Sequence, residues 1–369
     1  MRLQLIAALA LAAPAAISVA AGPRPLRAEP PPDLASATMR VYTDDDRLTV
    51  VSPVVHGQLT GDAVTTELDL AVDAVSAASV DVMTSASPIA VDETRVEGDL
   101  GLTYALTPTT AVRAGGQLSH EHDYDAWRVG LGVITELARR NTTLELRGRA
   151  GHDVATAVND ATFRGERTSA AATAVITQVV DRRTIVDLTV DGSWADGWHG
   201  SPYRRVLISD PTMPVVTSWR EATPARRLAL AVALRGRRAL GERWFATAIA
   251  RGYVDDWAVH SATATVELRR RLSERTLVGA QLRGYLQDGA DFWVARQPDA
   301  TAPPRYRTAD RTLGPMRTGE LELIGDRVIG AHERRVTVAV GGAGRWFPGS
   351  VVQDRRLALT TTLSFTTPL

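Results

Sequence analysis

From about residue 37 onward the chain repeats one pattern, in segments of about ten residues where apolar and polar side chains alternate. Leu144, Leu146 and Ala150 alternate with Glu145, Arg147 and Arg149; Val186, Leu188 and Val190 alternate with Asp187, Thr189 and Asp191. Leu228, Leu230, Val232 and Leu234 form one face of a later segment, and Leu357, Leu359, Leu363 and Phe365 form one face of the last. Period two predicts strands with one apolar face. A soluble sandwich alternates in the same way. Here, however, the second face carries a charge in segment after segment, the weak alternating signal of a transmembrane barrel.

Connection lengths then predict the topology. Short connections fall at 57–62, 105–109, 138–141, 181–183, 236–243, 270–275 and 325–334. Longer or acidic ones fall at 44–46, 73–92, 120–125, 151–168, 195–226, 254–257, 287–312 and 346–353. The two sets alternate strictly, and together they join sixteen strands. An even count puts both chain ends on one side, with short periplasmic turns and longer outer loops. The expected fold is therefore all-β: a transmembrane antiparallel up-and-down β-barrel of about 16 strands over 37–369. Its first strand is expected at 37–43, and Pro53 sits awkwardly in the second.

The N-terminus adds a compartment. Met1-Arg2 is a short basic start, Leu3 to Ala16 an apolar run, and Ser18-Val19-Ala20 a small-x-small cleavage option. Residues 1–21 are expected to be a signal peptide and the Pro-rich 22–36 a disordered lead-in. Together with the barrel this implies the bacterial outer membrane. Composition removes several chemistries. The 369 residues contain no cysteine, and all 42 basic residues are arginine. Thiol catalysis, Fe–S clusters, the P-loop lysine and Schiff-base chemistry are therefore excluded. No Gly-x-Ser-x-Gly elbow or His-Glu-x-x-His helix occurs, so no enzyme activity is expected. The short connections sum to +6 and the long ones to −11. Most Trp and Tyr fall at the outer strand ends, as an aromatic girdle would place them.

Several segments resemble a family of uncharacterised bacterial outer-membrane barrels known only as a domain of unknown function. They are YTDDD (42–46), DAVSAASVD (73–81), SASP (85–88), SHEHDY (119–124), SPYR (201–204), YVDDW (253–257) and YLQDGADF (285–292). The resemblance implies a barrel and supplies no activity or catalytic residue. One departure is the C-terminus. Such barrels usually finish on an aromatic residue, whereas here Leu363-x-Phe365 is followed by Thr366 to Leu369.

Strand parity assigns the candidate lumen lining. Glu67, Asp69, Arg95, Glu97, Asp99 and Arg113 come first, then Arg128, Glu136, Glu145, Arg147 and Arg149. Asp187, Asp191, Arg251, Glu267 and Arg269 follow, then Arg283, Glu320, Glu322 and Arg345. With both signs present, either the charges line water or Arg–carboxylate pairs bridge and narrow the barrel. A second candidate is the acidic outer rim: Asp44, Asp45, Asp46, Asp73, Asp81, Glu121, Asp123, Asp255, Asp256, Asp288 and Asp291, joined by His120, His122 and His260. Grouped carboxylates suit Ca²⁺, and histidine with carboxylate suits Zn²⁺, Cu²⁺ or Fe; oxygen donors outnumber imidazoles, so Ca²⁺ is the ion to expect. Solvated acidic loops, Asx turns, or arginines such as Arg204 and Arg205 account for the same rim without a metal. The sequence thus predicts a channel or transporter for small solutes or ions with an acidic outer mouth. The alternative is a non-conducting structural or partner-binding barrel with an ion-paired lumen. Expected partners are outer-membrane lipid, lipopolysaccharide and the barrel assembly machinery, with no nucleic acid. The Arg-rich short turns suit a periplasmic partner or nearby phosphates.

Overall fold

A computed structural model describes residues 32–77, 91–208, 217–297, 302–330, 333–351 and 353–369. The signal segment, most of the lead-in, and Asp81 lie outside the described residues. The chain builds β1 (Leu34–Asp44), β2 (Leu48–Thr60), β3 (Val64–Ala77), β4 (Val91–Thr107) and β5 (Thr110–Glu121). Next come β6 (Tyr124–Leu137), β7 (Thr142–Thr156), β8 (Arg164–Asp181) and β9 (Thr184–Gly197). A short ribbon, β10 (Arg205–Ile208) with β11 (Thr217–Arg220), stands outside the barrel. The wall resumes with β12 (Arg226–Leu240), β13 (Trp244–Asp255), β14 (His260–Ser273) and β15 (Thr276–Gln287). It ends with β16 (Met316–Ile329), β17 (Arg334–Trp346) and β18 (Arg355–Pro368).

Sixteen of these strands form one closed antiparallel barrel, with β9 joined to β12 and β18 returning to β1. Every short and long connection falls between the strands expected, and β1 begins three residues before Ala37. The closing seam runs from Leu34 opposite Pro368 to Asp44 opposite Ala358. The residues after Phe365 therefore extend the last strand, and Leu369 donates its N–H to the Asp33 carbonyl at 3.0 Å. Pro53 is tolerated because the β2–β3 pairing skips Ser52 and Pro53 and then continues in the same register.

Alternation decides which face is which. Leu68, Leu70, Leu100, Leu131, Leu188, Leu230, Leu282, Leu323 and Leu359 all stand exposed on the outside of the barrel. In water that surface would be a severe liability; in hydrocarbon it is the solvated face. The intervening positions point inward and carry the charges. The aromatic residues divide more finely than expected. Trp127, Trp194 and Trp346 face outward at the long-loop end, and Tyr104 and Trp244 do so at the short-turn end. Tyr42 and Tyr253 instead turn inward and donate to Asp44 (3.0 Å) and Asp255 (2.8 Å). The inward parity of those two tyrosines outweighs their interfacial preference.

Leu323 lies mid-strand and outward, while Thr360 lies mid-strand and inward. Leu323→Arg should cost roughly 2–4 kcal/mol of stability in a bilayer, and Thr360→Arg much less. Denaturant titration of the protein folded in liposomes measures both; equal costs would refute this assignment of faces.

Candidate functional site

The inward charges form pairs that run along the wall. Arg113 meets Glu67 at 2.7 Å across one intervening strand, and Glu145 lies 3.2 Å from Arg147 and 4.0 Å from Arg113. A second chain starts with Arg95 on Glu97. Gln117 donates to Glu97 (2.8 Å), Arg128 donates to Gln117 (3.1 Å) and pairs with Asp153 (3.3 Å), and Arg167 Nε donates to Asp153 at 2.7 Å. Asp187 is held by Arg235 (2.6 Å), Arg237 (3.3 Å) and the Thr177 hydroxyl (2.7 Å). On the far side Arg269 joins Glu267 and Asp326, both at 3.0 Å, and Arg283 joins Glu320 at 3.1 Å. Asp69 meets His56 at 2.8 Å, Asp191 accepts from Thr173 at 2.7 Å, and Arg251 lies 5.7 Å from the Tyr253 ring. Arg149 stands among Arg128, Arg147 and Asp191, and Glu322 among Glu267, Glu320 and Arg40.

Two properties follow. Among the described residues, each ion pair between wall strands joins neighbours or next neighbours in the barrel order, and none crosses the lumen. Several inward side chains also remain open to water: Arg147 is 49% exposed and Asp69 44%. Among the described residues the ion pairs thus run along the wall and do not bridge the lumen.

The outer end is organised differently. The described parts of the loops after β9 (198–208 and 217–225) and after β15 (288–297 and 302–315) fold onto one another. Ala222 pairs with Arg307 and Ile208 with Gln297, while Trp293 pairs with Thr308 within the second loop. Between them lies a buried ionic centre. Arg204 meets Asp310 at 2.7 Å and Glu221 at 3.4 Å; Ser201 N–H donates to Glu221 at 2.8 Å, and the Thr308 hydroxyl also donates to it. Beside it Trp257, Val259, Ala290 and Leu313 form a small apolar core with Phe292 and Trp293 packed against it. Gly314 is required there, because a Cβ would sit 2.5 Å from the Trp293 ring.

This cap is anchored to the rim by the acidic residues. Asp44 accepts the N–H groups of Asp46 and Leu48, both at 3.0 Å, in an Asx-type turn. Asp46 is buried against Arg356 (2.5 Å) and Arg311 (3.7 Å), while Asp45 accepts from Leu357 N–H at 2.9 Å. Asp255 takes Arg227 at 2.6 Å and the N–H groups of Trp257 and Val259; Asp256 accepts Leu228 N–H at 2.9 Å. Asp123 accepts the Tyr203 hydroxyl at 2.7 Å, Glu121 lies 3.7 Å from Arg95, and His120 meets Asp125 at 2.6 Å. Asp73 is in register with Arg95. Asp288 and Asp291 enter through backbone N–H groups, onto the carbonyls of His260 and Trp257. Among the described residues no three His, Asp or Glu side chains converge in a metal-sized group. Asp44, Asp45, Asp46, Asp255 and Asp256 are matched by arginines and backbone N–H groups. Arg204 serves Glu221 and Asp310 rather than the rim acids expected of it, and Arg205 bonds Ser218 at 2.9 Å. Glu221 and Asp310, the centre of the cap, carry no local sequence signal because they lie 89 positions apart; Arg204 lay within the SPYR segment.

Burial, with Asp310 beside it, pushes the Glu221 carboxyl above the usual carboxylate range against the pull of Arg204. The docked cap therefore binds that proton more tightly than the undocked loops, and Glu221 strengthens docking as pH falls through its raised value. Burial lowers His199 to about 4 from 6.5, so His199 weakens docking as pH falls from about 6.5 to about 4. Hydrogen exchange of 198–208 should show the two opposing: His199→Asn leaves only a gain of protection on acidification. Arg204→Gln strands two buried carboxylates, which costs about 3–5 kcal/mol of docking. Protection of both loops should collapse in that variant while the wall strands keep theirs. Unchanged loop protection would disprove the role of this centre.

Comparison with known proteins supports the fold. A bacterial polysaccharide outer membrane secretin matches with a TM-score of 0.50 at 9% identity, over 91% of this chain and 98% of that one. The CymD monoaromatic hydrocarbon channel matches at 0.47 and 8% identity, over 92% and 88% of the two chains. The Pseudomonas putida toluene transporter TodX matches at 0.45 and 10% identity, over 92% and 90%. At 9% identity the likeness to the secretin is one of fold, that of an outer-membrane barrel. No curated protein matches in sequence. A family model does match, over residues 79–339, and takes in the segments at 119–124, 201–204, 253–257 and 285–292. The chain belongs to that family, described as proteins of unknown function (DUF3570).

Proposed function

We propose that the protein is an outer-membrane channel or transporter for small hydrophilic solutes or ions, with short turns in the periplasm and the outer mouth covered by the loop cap. The observation that carries this reading is the orientation of the ion pairs. Among the described residues they satisfy one another along the wall, none joins opposite walls, and side chains such as Arg147 stay about half exposed, which supports a charged, open lining. Fixed charges in such a lining set ion selectivity. The cap then governs access, because its two loops reach from Asp123 on one part of the rim to Asp46 on another. The reading involves no catalytic step. The neighbouring His260 and Ser261 point to opposite faces of β14, so they do not form a nucleophile–base pair.

Purified barrel in a planar bilayer should conduct. Replacing Arg128, Arg147 and Arg149 with Gln should shift its reversal potential towards cation preference, because the remaining carboxylates then dominate the lining. Arg204→Gln should raise the open probability with selectivity unchanged. A barrel silent at every voltage, in both the native chain and Arg204→Gln, would support a structural or partner-binding barrel instead.

A further inference from the structure

The outward face at the short-turn end is sharply asymmetric. Over β12 to β17 it carries Arg238, Arg270, Arg327 and Arg334, each on the parity of exposed apolar residues such as Leu240, Leu268, Leu323 and Val338. Register places Arg270 opposite Trp244, with its guanidinium 5.2 Å from the ring centre. Arg238, Arg327 and Arg334 stand opposite Ala246, Thr276 and Ile329. All four arginines are exposed, and none makes an ion pair among the described residues. On β1 to β9 the outward residues at this level are uncharged, Leu59, Leu106, Leu137 and Val180 among them. At the long-loop end several outward charges are paired: Arg164 with Glu166 at 2.6 Å, Arg226 with Asp196 at 3.4 Å and His120 with Asp125 at 2.6 Å.

Arg238, Arg270 and Arg327 sit on alternate strands, so they form a row of cations about 10 Å apart. They lie two or three residues from their strand ends, about 7–10 Å into the wall. A guanidinium there can lay its stem on the apolar face and hold its head at the interface. Apart from Asp181 in the β8–β9 turn, whose carboxylate feels Arg238, these guanidinium groups have no anionic partner among the described residues. A soluble acidic protein would have to enter the apolar band formed by Leu240, Leu268 and Ile329 to meet these groups, whereas a lipid phosphate is already at that depth. The planar guanidinium fork also fits phosphate geometry, and Trp244 marks the headgroup level. We propose that this half of the barrel binds anionic phospholipid of the periplasmic leaflet, its phosphates held by Arg238, Arg270, Arg327 and Arg334. The leaflet assignment rests on the outer-membrane reading above; the binding chemistry does not.

The test uses the full barrel in nanodiscs of phosphatidylcholine with a minor share of phosphatidylglycerol, and native mass spectrometry of the lipid retained after detergent release. The wild type should retain phosphatidylglycerol several-fold above its share in the disc. R238Q/R270Q/R327Q/R334Q should fall to that share, and the control R164Q/R226Q at the opposite end should keep the enrichment. If the fourfold variant does not fold, R238Q/R270Q and R327Q/R334Q tested separately should each lose part of it. No enrichment in the wild type, equal enrichment in all folded variants, or a second copy of the chain occupying this face would each overturn the proposal. Cell fractionation tests the outer-membrane reading on its own: a protein found elsewhere would sink that reading and leave the disc result standing.

Discussion

The whole structure depends on one constraint: a backbone that crosses hydrocarbon must satisfy every N–H and C=O within itself. A strand does this only with neighbours on both sides, and a set of strands only by closing. The β1–β18 seam is where that requirement is met, over eleven register pairs between the two ends of the chain. Once closure is imposed, side-chain alternation has no freedom left. One set of positions meets lipid and must be apolar; the other meets the interior and is free to be charged. The paired wall charges, the outward leucines and the strict alternation of short and long connections all follow from it.

The cap obeys a different logic, because water can reach the outer loops and closure does not constrain them. The loop after β15 packs a small core against Trp257 and Val259 of the β13–β14 turn, and it shares one ionic centre around Arg204 with the loop after β9. Each loop supplies half of that centre: Arg204 and Glu221 come from one, Thr308 and Asp310 from the other. Buried charge of this kind is tolerated when complete and costly when split, which ties the two loops to one another.

Much of this was legible in the sequence, for a physical reason. Period-two alternation is a direct imprint of a wall with lipid on one side, so strand number, parity and the inward charges could be read off; Glu67, Arg113 and Asp187 stand where parity puts them. Chain-distant pairing was not legible. The acidic rim residues are visible locally, while the partners of Asp46 and Asp255, Arg356, Arg311 and Arg227, come from other strands and loops. Tyr42 and Tyr253 looked like girdle residues because composition reveals the amphipathic type but only parity reveals the face.

The absence of lysine has a consequence for how this interior responds to its surroundings. An arginine keeps its charge across any pH a cell meets, so Arg113, Arg128, Arg147 and Arg149 form a fixed positive lining. The groups that balance them are carboxylates on the same or nearby strands, Glu67, Glu145 and Asp153 among them. The positive half of the lining is therefore fixed by composition. No physiological alkalinity can strip away those guanidinium charges.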